Sequence, residues 1–320
     1  MLRLADGSTV RAKTYKGTRS ANPSSTLVAV GDEVRLANPL LLKEEAESRS
    51  RNARGYLIEE VLPRRTKLSR KAAGRRDAFE QVIVANVDLL MIVASVVEPK
   101  LRSGIIDRYI VAGIEGGLEI VIAINKIDLV SETEMDEALY FRDLYREIGY
   151  PLYLISAALS SGIEQLKEEI AGKTSVFAGH SGVGKSSIVN AILGREAALT
   201  GVLQKKFRRG AHTTAASTLI EVPLLFKEGA GGGLTFIADT PGVREFSNFE
   251  LRSADLKYAF VEFQKFQERC AITNCSHLHE PGCAVRQAVE DDTISVDRYS
   301  SYQKLFEESK QSELKRIRNQ

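Results

Sequence analysis

A chain of 320 residues with 43% hydrophobic content is long enough for about two or three cored domains. Its net charge of +2 gives no global pull toward nucleic acid, and no apolar run reaches a membrane span, because Asn86 and Asp88 interrupt the longest, over residues 82–97. Residues 1–7 lack the apolar stretch of a signal peptide, so the expected location is the cytosol, or an organelle lumen once a transit peptide has been removed. The 3 cysteines lie between residues 270 and 283 and cannot all pair, which favours a metal over a disulfide framework.

In chain order, residues 8–12, 26–30, 33–36 and 55–61 are short segments rich in β-formers, punctuated by glycine, proline and Asn22. That pattern predicts a small antiparallel barrel. Residues 44–54 are highly charged and predict an exposed loop. Arg64, Arg65, Lys67, Arg70, Lys71, Arg75 and Arg76 make residues 63–80 a basic connector. From Val82 onward, apolar strands are expected at 89–93, 120–124, 152–155, 175–178, 219–222 and 235–238. Helices are expected between several of them, at 105–115, 134–148, 163–171 and 185–193. Apolar strands alternating with helices predict an α/β fold with a mainly parallel sheet. Residues 229–233 predict a hairpin loop. Beyond Phe246 the strands stop, with helix expected at 253–267 and at 301–318.

Three motifs carry nucleotide chemistry. Gly179-His180-Ser181-Gly182-Val183-Gly184-Lys185-Ser186 follows an apolar strand and opens a helix, the context a phosphate loop needs. Its amides would face phosphate oxygens, Lys185 would reach the β- and γ-phosphates, and Ser186 would ligate Mg²⁺. Asn125-Lys126-Ile127-Asp128 also ends a strand. The Asp128 carboxylate can accept from guanine N1–H and the 2-amino group, and adenine offers neither donor there. Asn125 can tie the base loop down, the Lys126 stem can cover the base plane, and the backbone of Ser156 and Ala157 can face guanine O6. Asp239-Thr240-Pro241-Gly242 ends the last strand, placing Asp239 in the Mg²⁺ shell and the Gly242 amide at the γ-phosphate. The base-reading motif precedes the phosphate loop, the reverse of the usual GTPase order, so the chain is expected to be a circularly permuted GTPase.

A switch segment must offer a threonine to Mg²⁺ and the γ-phosphate. Thr213 and Thr214 are the candidates, and Thr214 is favoured. Ras-like GTPases place a water-positioning Gln directly after the switch glycine, but Val243 stands there and can neither donate nor accept. His212, beside the threonines, is the best internal substitute, with His180 a weaker rival that lines the phosphate loop. Lys185, His212 and Thr214 are therefore the catalytic candidates.

Cys270, Cys275, His277 and Cys283 form a Cys₃His set suited to one closed, structural zinc site. His279 and Glu280 lie near enough to compete, with His279 a candidate for a supporting role. Local basic runs at 64–76, at Lys205, Lys206, Arg208 and Arg209, and at Lys315, Arg316 and Arg318 suit a phosphate backbone, or a solvated face.

These residues together resemble the ribosome small-subunit-dependent GTPase A family. The matching stretches are Asn125-Lys126-Ile127-Asp128, residues 179–187 through Ser187, His212-Thr213-Thr214, residues 239–244 and the four metal-site residues. Residues 29–34 and 61–66 resemble the family's barrel and connector. The resemblance implies an OB-type barrel over 1–66, a connector over 67–80, a permuted GTPase domain over 81–247 and a helical zinc domain over 248–320. It implies GTP/GDP and Mg²⁺ as ligands and one Zn²⁺ per chain. It further implies hydrolysis stimulated by the small ribosomal subunit, contact with its rRNA and with other maturation factors, no membrane partner and a monomeric chain. Two departures stand out: Ala211 replaces the Arg that usually precedes the switch histidine, and the barrel starts late, as if its first strand were missing. The competing expectations are a nucleotide-gated binding module whose hydrolysis is incidental and a signalling GTPase unrelated to RNA.

Overall fold

The computed structural model describes residues 2–21, 24–37, 56–71, 79–101, 103–199, 218–223, 233–239 and 252–318. Its N-terminal strands are short: β1 (Leu2–Arg3), β2 (Thr9–Val10), β3 (Ala12–Lys13), β4 (Arg19–Ser20), β5 (Val34–Leu36) and β6 (Tyr56–Val61). β1 and β2 pair antiparallel, as does β5 with β6, but β3 and β4 run parallel to β6. The expectation of a purely antiparallel arrangement is therefore corrected, and no pairing among the described residues closes these strands into a ring. Residues 26–30 are not a strand either. They are held by single bridges from Ser25 to Glu80 and Val30 to Val84, and by the half-buried Arg64, which pairs with Asp32 at 2.7 Å and donates to the Thr26 carbonyl at 2.8 Å.

The basic connector contributes to a strand pair. Lys67–Lys71 is a strand (β7), antiparallel to β8 (Glu80–Ala85). Leu68 points into the core while Glu80 takes both the Lys67 ammonium and the Ser69 hydroxyl, at 2.6 Å each. One apolar residue among cations is too weak a period to announce a strand, and its pairing partner supplies the rest.

The central sheet has six strands in the order β11-β10-β9-β12-β14-β13, with β9 Leu89–Ser95, β10 Glu119–Asn125, β11 Leu152–Leu154, β12 Thr174–Ala178, β13 Thr218–Val222 and β14 Thr235–Asp239. All neighbours are parallel except the edge strand β13. Alternation divides the inner strands between two cores. Leu90, Ile92, Ile122, Ile124 and Val176 face one side, with Leu89, Met91, Val93, Val121 and Phe177 on the other. The first side is covered by α1 (Ser103–Gly116) and α2 (Glu132–Glu147), through Ile106, Ile110, Phe141 and Tyr145. The second is covered by α3 (Ile163–Ile170) and α4 (Lys185–Leu199, interrupted at Gly194), through Leu166, Ile170, Ile188 and Ile192. Ser131 starts α2 with a capping box that Glu134 closes. At the sheet's edge the Arg3 guanidinium pairs with Glu221 at 2.6 Å and lies 5.3 Å from the Phe236 ring centre, seating the N-terminal strands on β13 and β14.

The C-terminal segment builds a third core. The helix expected at 253–267 is instead two 3₁₀ turns (Leu256–Ala259, Val261–Phe263) and one α-helical turn, α5 (Gln264–Gln267). The break falls at Phe260, whose ψ of 87° leaves the helical region. It lets Phe260 and Phe263 both bury against Tyr302, with ring centres at 5.2 and 5.0 Å, on α7 (Val296–Arg318), which follows α6 (Ala284–Glu290). α7 begins at Val296, five residues ahead of the expected 301, because Arg298, Tyr299 and Tyr302 all face this core or its border. No helix among the described residues is long and apolar enough to cross a membrane.

Candidate nucleotide and metal sites

Parallel pairing brings the carboxyl ends of β9, β10, β11, β12 and β14 to one edge of the sheet, where open α/β sheets bind ligands. The phosphate loop leaves β12 there and enters α4 at Lys185. Gly179 and Gly184 have φ of 148° and 95°, and both are also sterically committed. A Cβ on Gly179 would stand 2.1 Å from the Val93 carbonyl oxygen, and one on Gly184 2.3 Å from Asn125 Nδ2. The Lys185 ammonium donates to the Gly179 and His180 carbonyls at 2.7 and 2.8 Å, so it lies across the mouth of its own loop. Ser181, Gly182 and Ser187 are exposed, Ser186 is half-buried, and Val183 packs into the core.

Asn125 joins the two halves of the site. Its Nδ2 donates to the Val183 carbonyl at 3.0 Å, and its Oδ1 accepts the Ala157 amide at 3.0 Å. It is 2% exposed, so it is a strut between the phosphate loop and the base loop rather than a base-reading group. Ile127 donates to the Ile155 carbonyl at 3.2 Å, and the Ser156 hydroxyl accepts the Leu159 amide at 3.1 Å. These bonds shape the loop that carries Ser156 and Ala157. Lys126 turns through φ 69° and donates to the Glu98 carbonyl at 2.6 Å. Asp128 stands exposed in the single 3₁₀ turn Ile127–Leu129. Asp239 ends β14 beside the phosphate-loop strand. His180 is exposed, and its Nδ1 lies 3.0 Å from the Ser181 carbonyl. His212, Thr213, Thr214, Gly242 and Val243 lie outside the described residues, as does most of the hairpin loop at 229–233.

Sequence reasoning missed Tyr109. It sits on α1, is buried, and its ring lines the same cleft as His180 and Val183 of the phosphate loop. Burial pushes its hydroxyl up to about 12. Nothing in its local sequence signals this contact, because the phosphate loop lies about 70 residues away in the chain.

In the C-terminal segment, Cys270, Cys275, His277 and Cys283 place their ligand atoms within 4.8 Å of one another. His277 Nδ1 lies 3.6 Å from Cys270 Sγ and 3.5 Å from Cys283 Sγ. A tetrahedron with metal–sulfur and metal–nitrogen bonds of about 2.3 and 2.0 Å has such an edge near 3.5 Å, so the donor set fits Zn²⁺ through Nδ1. His277 Nε2 is left buried without a hydrogen-bond partner. Backbone amides of His277 and Arg286 donate to the Cys275 and Cys283 sulfurs, both at 3.4 Å, as suits thiolates. Burial pushes the Cys275 thiol up to about 12 and raises Cys283, so the metal-free pocket favours neutral thiols, and a divalent cation would reverse that. Burial lowers His277, keeping the ring neutral and its lone pair free.

Glu280 is not a rival ligand. It accepts the Ser276 hydroxyl at 2.5 Å and the amides of Ser276, Leu278 and His279, closing the loop beneath the site. Against its burial, these donors hold its carboxyl well below the usual range. His279 is exposed. Tyr299 and Tyr302 donate to the His277 and Ser276 carbonyls at 2.7 and 2.5 Å, tying α7 to the same loop.

A phosphate loop and an Asn-Lys-x-Asp loop bridged by one buried asparagine, with the base-reading strand earlier in the chain, define a circularly permuted GTPase. A sequence model of the RsgA GTPase family matches residues 61–249. A protein of Chlorobaculum parvum described as small ribosomal subunit biogenesis GTPase RsgA is 38% identical over 310 residues, 96% of this chain and 93% of the relative. A second such protein, from Bacteroides thetaiotaomicron, is 34% identical over 296 residues, covering 92% and 87%. The crystal structure of YjeQ from Thermotoga maritima matches with TM-score 0.69 and 30% identity over 95% of this chain and 91% of that one. YloQ, itself described as a circularly permuted GTPase, matches with TM-score 0.61 and 28% identity, covering 88% and 81%. The chain belongs to the RsgA GTPase family and is a GTP-hydrolysing enzyme that uses GTP, GDP and Mg²⁺.

Gly184→Ala should lower GTP affinity at least about tenfold, or roughly 1.4 kcal/mol, because its Cβ would push on the Asn125 strut. Titration with a fluorescent nucleotide measures it. Unchanged affinity would mean that the strut yields freely.

Proposed function

We propose that this chain hydrolyses GTP to assist late maturation of the small ribosomal subunit, binding the subunit and its rRNA and being stimulated by them. The carrying observation is the Asn125 strut, which makes a single unit of two motifs that only a guanine-nucleotide site needs together. Relatives described as small-subunit biogenesis GTPases, matched over 92–96% of this chain, support the assignment of partner. In this reading Asp128 reads the base, Lys126 covers it, and Lys185 and the amides of residues 179–187 hold the phosphates. Ser186, Thr214 and Asp239 hold Mg²⁺, and the Gly242 amide senses the γ-phosphate. His212 orients water, and Cys270, Cys275, His277 and Cys283 hold one structural Zn²⁺. An OB-type barrel over 1–66 and the zinc domain over 248–320 would grip RNA on either side of the GTPase domain (81–247), with 67–80 as connector. We place the protein in the cytoplasm as a monomer. GTP turnover with and without purified small subunits is the test: turnover should rise sharply with them, and an unchanged rate overturns the reading. Val243, which cannot position water, favours one alternative, a nucleotide-gated binding module with incidental hydrolysis, and an unchanged rate is what that module predicts.

Base reading makes a separate prediction. Asp128→Asn sets an amide donor against guanine's own donors. GTP binding should weaken, and xanthosine triphosphate, with an oxygen in place of the amino group, should gain. Competition binding with the two nucleotides reads the change, and equal GTP affinity in the variant sinks the assignment.

A further inference from the structure

α7 turns two stripes toward two different bodies. On one stripe, Tyr299 and Tyr302 donate to the His277 and Ser276 carbonyls, and Phe306 enters the C-terminal core. On the other, Arg298, Ser301 and Glu308 fall on one side of the helix and meet α1 of the GTPase domain. Arg298 donates to Asp107 at 2.5 Å, and Glu308 pairs with Arg108. Gly104 lies so near that a Cβ on it would stand 3.7 Å from Ser301 Oγ. Beside Arg298, Asp297 accepts the Tyr140 hydroxyl of α2 at 2.8 Å. Asp107 is 0% exposed and Arg298 1%. The remaining Arg298 nitrogens go to both Glu262 oxygens, at 2.7 and 3.0 Å, and the guanidinium lies 4.5 Å from the Phe260 ring centre. The Asp107 oxygen that takes Arg298 also accepts the Tyr145 hydroxyl of α2 at 2.7 Å. Apolar contact across the junction is thin: among the described residues, α1 gives the C-terminal core Val111 and Ile114.

We propose that the Asp107–Arg298–Glu262 network is a keyed joint, which holds the C-terminal segment on the GTPase domain at one angle that small-subunit recognition requires. The proposal rests on the small subunit being the partner that both bodies grip. Stability does not account for three charges at this junction, since apolar side chains of similar volume serve as well or better. A planar fork fixes direction, which a small apolar contact does not. Here one guanidinium takes a carboxylate from each body at once, Asp107 from the GTPase domain and Glu262 from the C-terminal segment, so the angle between the two is set in a single plane. A partner that touches both bodies binds only the chains that present the fitting angle. A chain free to sample other angles loses affinity in proportion to the fraction that fits.

The test uses the full-length, metal-loaded chain. A triple variant, Asp107→Leu with Glu262→Leu and Arg298→Met, fills the junction with apolar groups and leaves no charge stranded. Its melting temperature, nucleotide affinity and unstimulated turnover should stay near wild type. The small-subunit concentration that gives half-maximal stimulation should rise about tenfold, as when one chain in ten presents the fitting angle, while the maximal stimulated rate is unchanged. The angle itself is read from the distance between spin labels on noncanonical residues at the exposed positions 165 on α3 and 304 on α7, which spares the cysteines. The distribution should be narrow in the wild type and broad in the variant. Arg298→Lys keeps the charge and loses the fork. It is the second probe should the triple variant fold poorly, and it should raise half-stimulation about two- to threefold with some broadening. A narrow distribution in both variants overturns the joint, whether or not the melting temperature falls, because the network is then an ordinary structural contact. A broad distribution with unchanged half-stimulation overturns the requirement for one angle. Were wild-type turnover indifferent to small subunits, the proposed function would fall and the recognition half of this proposal with it, while the label distances would still decide the joint.

Discussion

His212→Ala should cut subunit-stimulated GTP turnover by about 10²-fold or more, while GTP affinity and small-subunit affinity stay near wild type. The expectation comes from elimination. Val243 stands where a water-positioning glutamine would be and has no polar atom. Lys185 lies across the phosphate loop, bonded to the Gly179 and His180 carbonyls, and in the proposed reading serves the phosphates. Ser186 and Asp239 are assigned to the metal ion. Asn125 is buried and uses its side chain as a strut. His180, the rival ring, turns its Nδ1 toward the Ser181 carbonyl. His212 alone combines a proton-exchanging ring with a place beside the switch threonines. Orienting water is a task of the transition state, so the loss should appear in turnover and not in binding. Steady-state turnover with saturating small subunits, beside equilibrium binding of both ligands, separates the two. Wild-type stimulated turnover in the variant would transfer the role to a group supplied by the ribosome.

Cys275→Ala should release the metal and unfold much of the C-terminal segment while the nucleotide core keeps its fold. Purified wild-type protein should carry about one equivalent of zinc, as one closed four-ligand site requires. Structural zinc sites contribute roughly 10–16 kcal/mol in finger peptides, comparable with the whole net stability of a domain. Here the ligands are also core residues. Cys275 and Cys283 pack with Phe260, Phe263 and Tyr302, and the loop around His277 is held by Tyr299, Tyr302 and Lys257. Loss of the metal would leave neutral thiols and an already unpartnered Nε2 in a dry pocket. Metal analysis and amide hydrogen exchange across residues 252–318 measure the effect. A metal-free variant with undiminished protection there would refute the structural role.

The sequence by itself determined the parts whose chemistry is local. A phosphate loop needs its glycines, lysine and serine at fixed spacing because adjacent amides do the binding, so residues 179–187 announce themselves. Asn125-Lys126-Ile127-Asp128, Asp239 and the Cys₃His spacing are legible for the same reason, and motif order alone revealed the permutation. The sheet strands were legible because both faces are buried, which makes β9 and β10 nearly continuous apolar runs. The helix expected from 134 begins instead at Glu132, behind a capping box that Ser131 and Glu134 close within one turn.

Only the tertiary structure decided what depends on a distant partner. β7 is a strand inside a basic run because β8 pairs with it and Glu80 answers its charge. Residues 253–267 break into single turns because Phe260 and Phe263 must both reach Tyr302, which overrides a helix-favouring composition. Asn125 looked like a base-loop residue and proved to bind the phosphate loop as well, 58 positions away. Arg298 and Asp107, 191 positions apart, meet only where α7 packs on α1. A charge carries no local mark of being buried. Whether it faces water or another charge is settled only when the helices that hold the pair have packed.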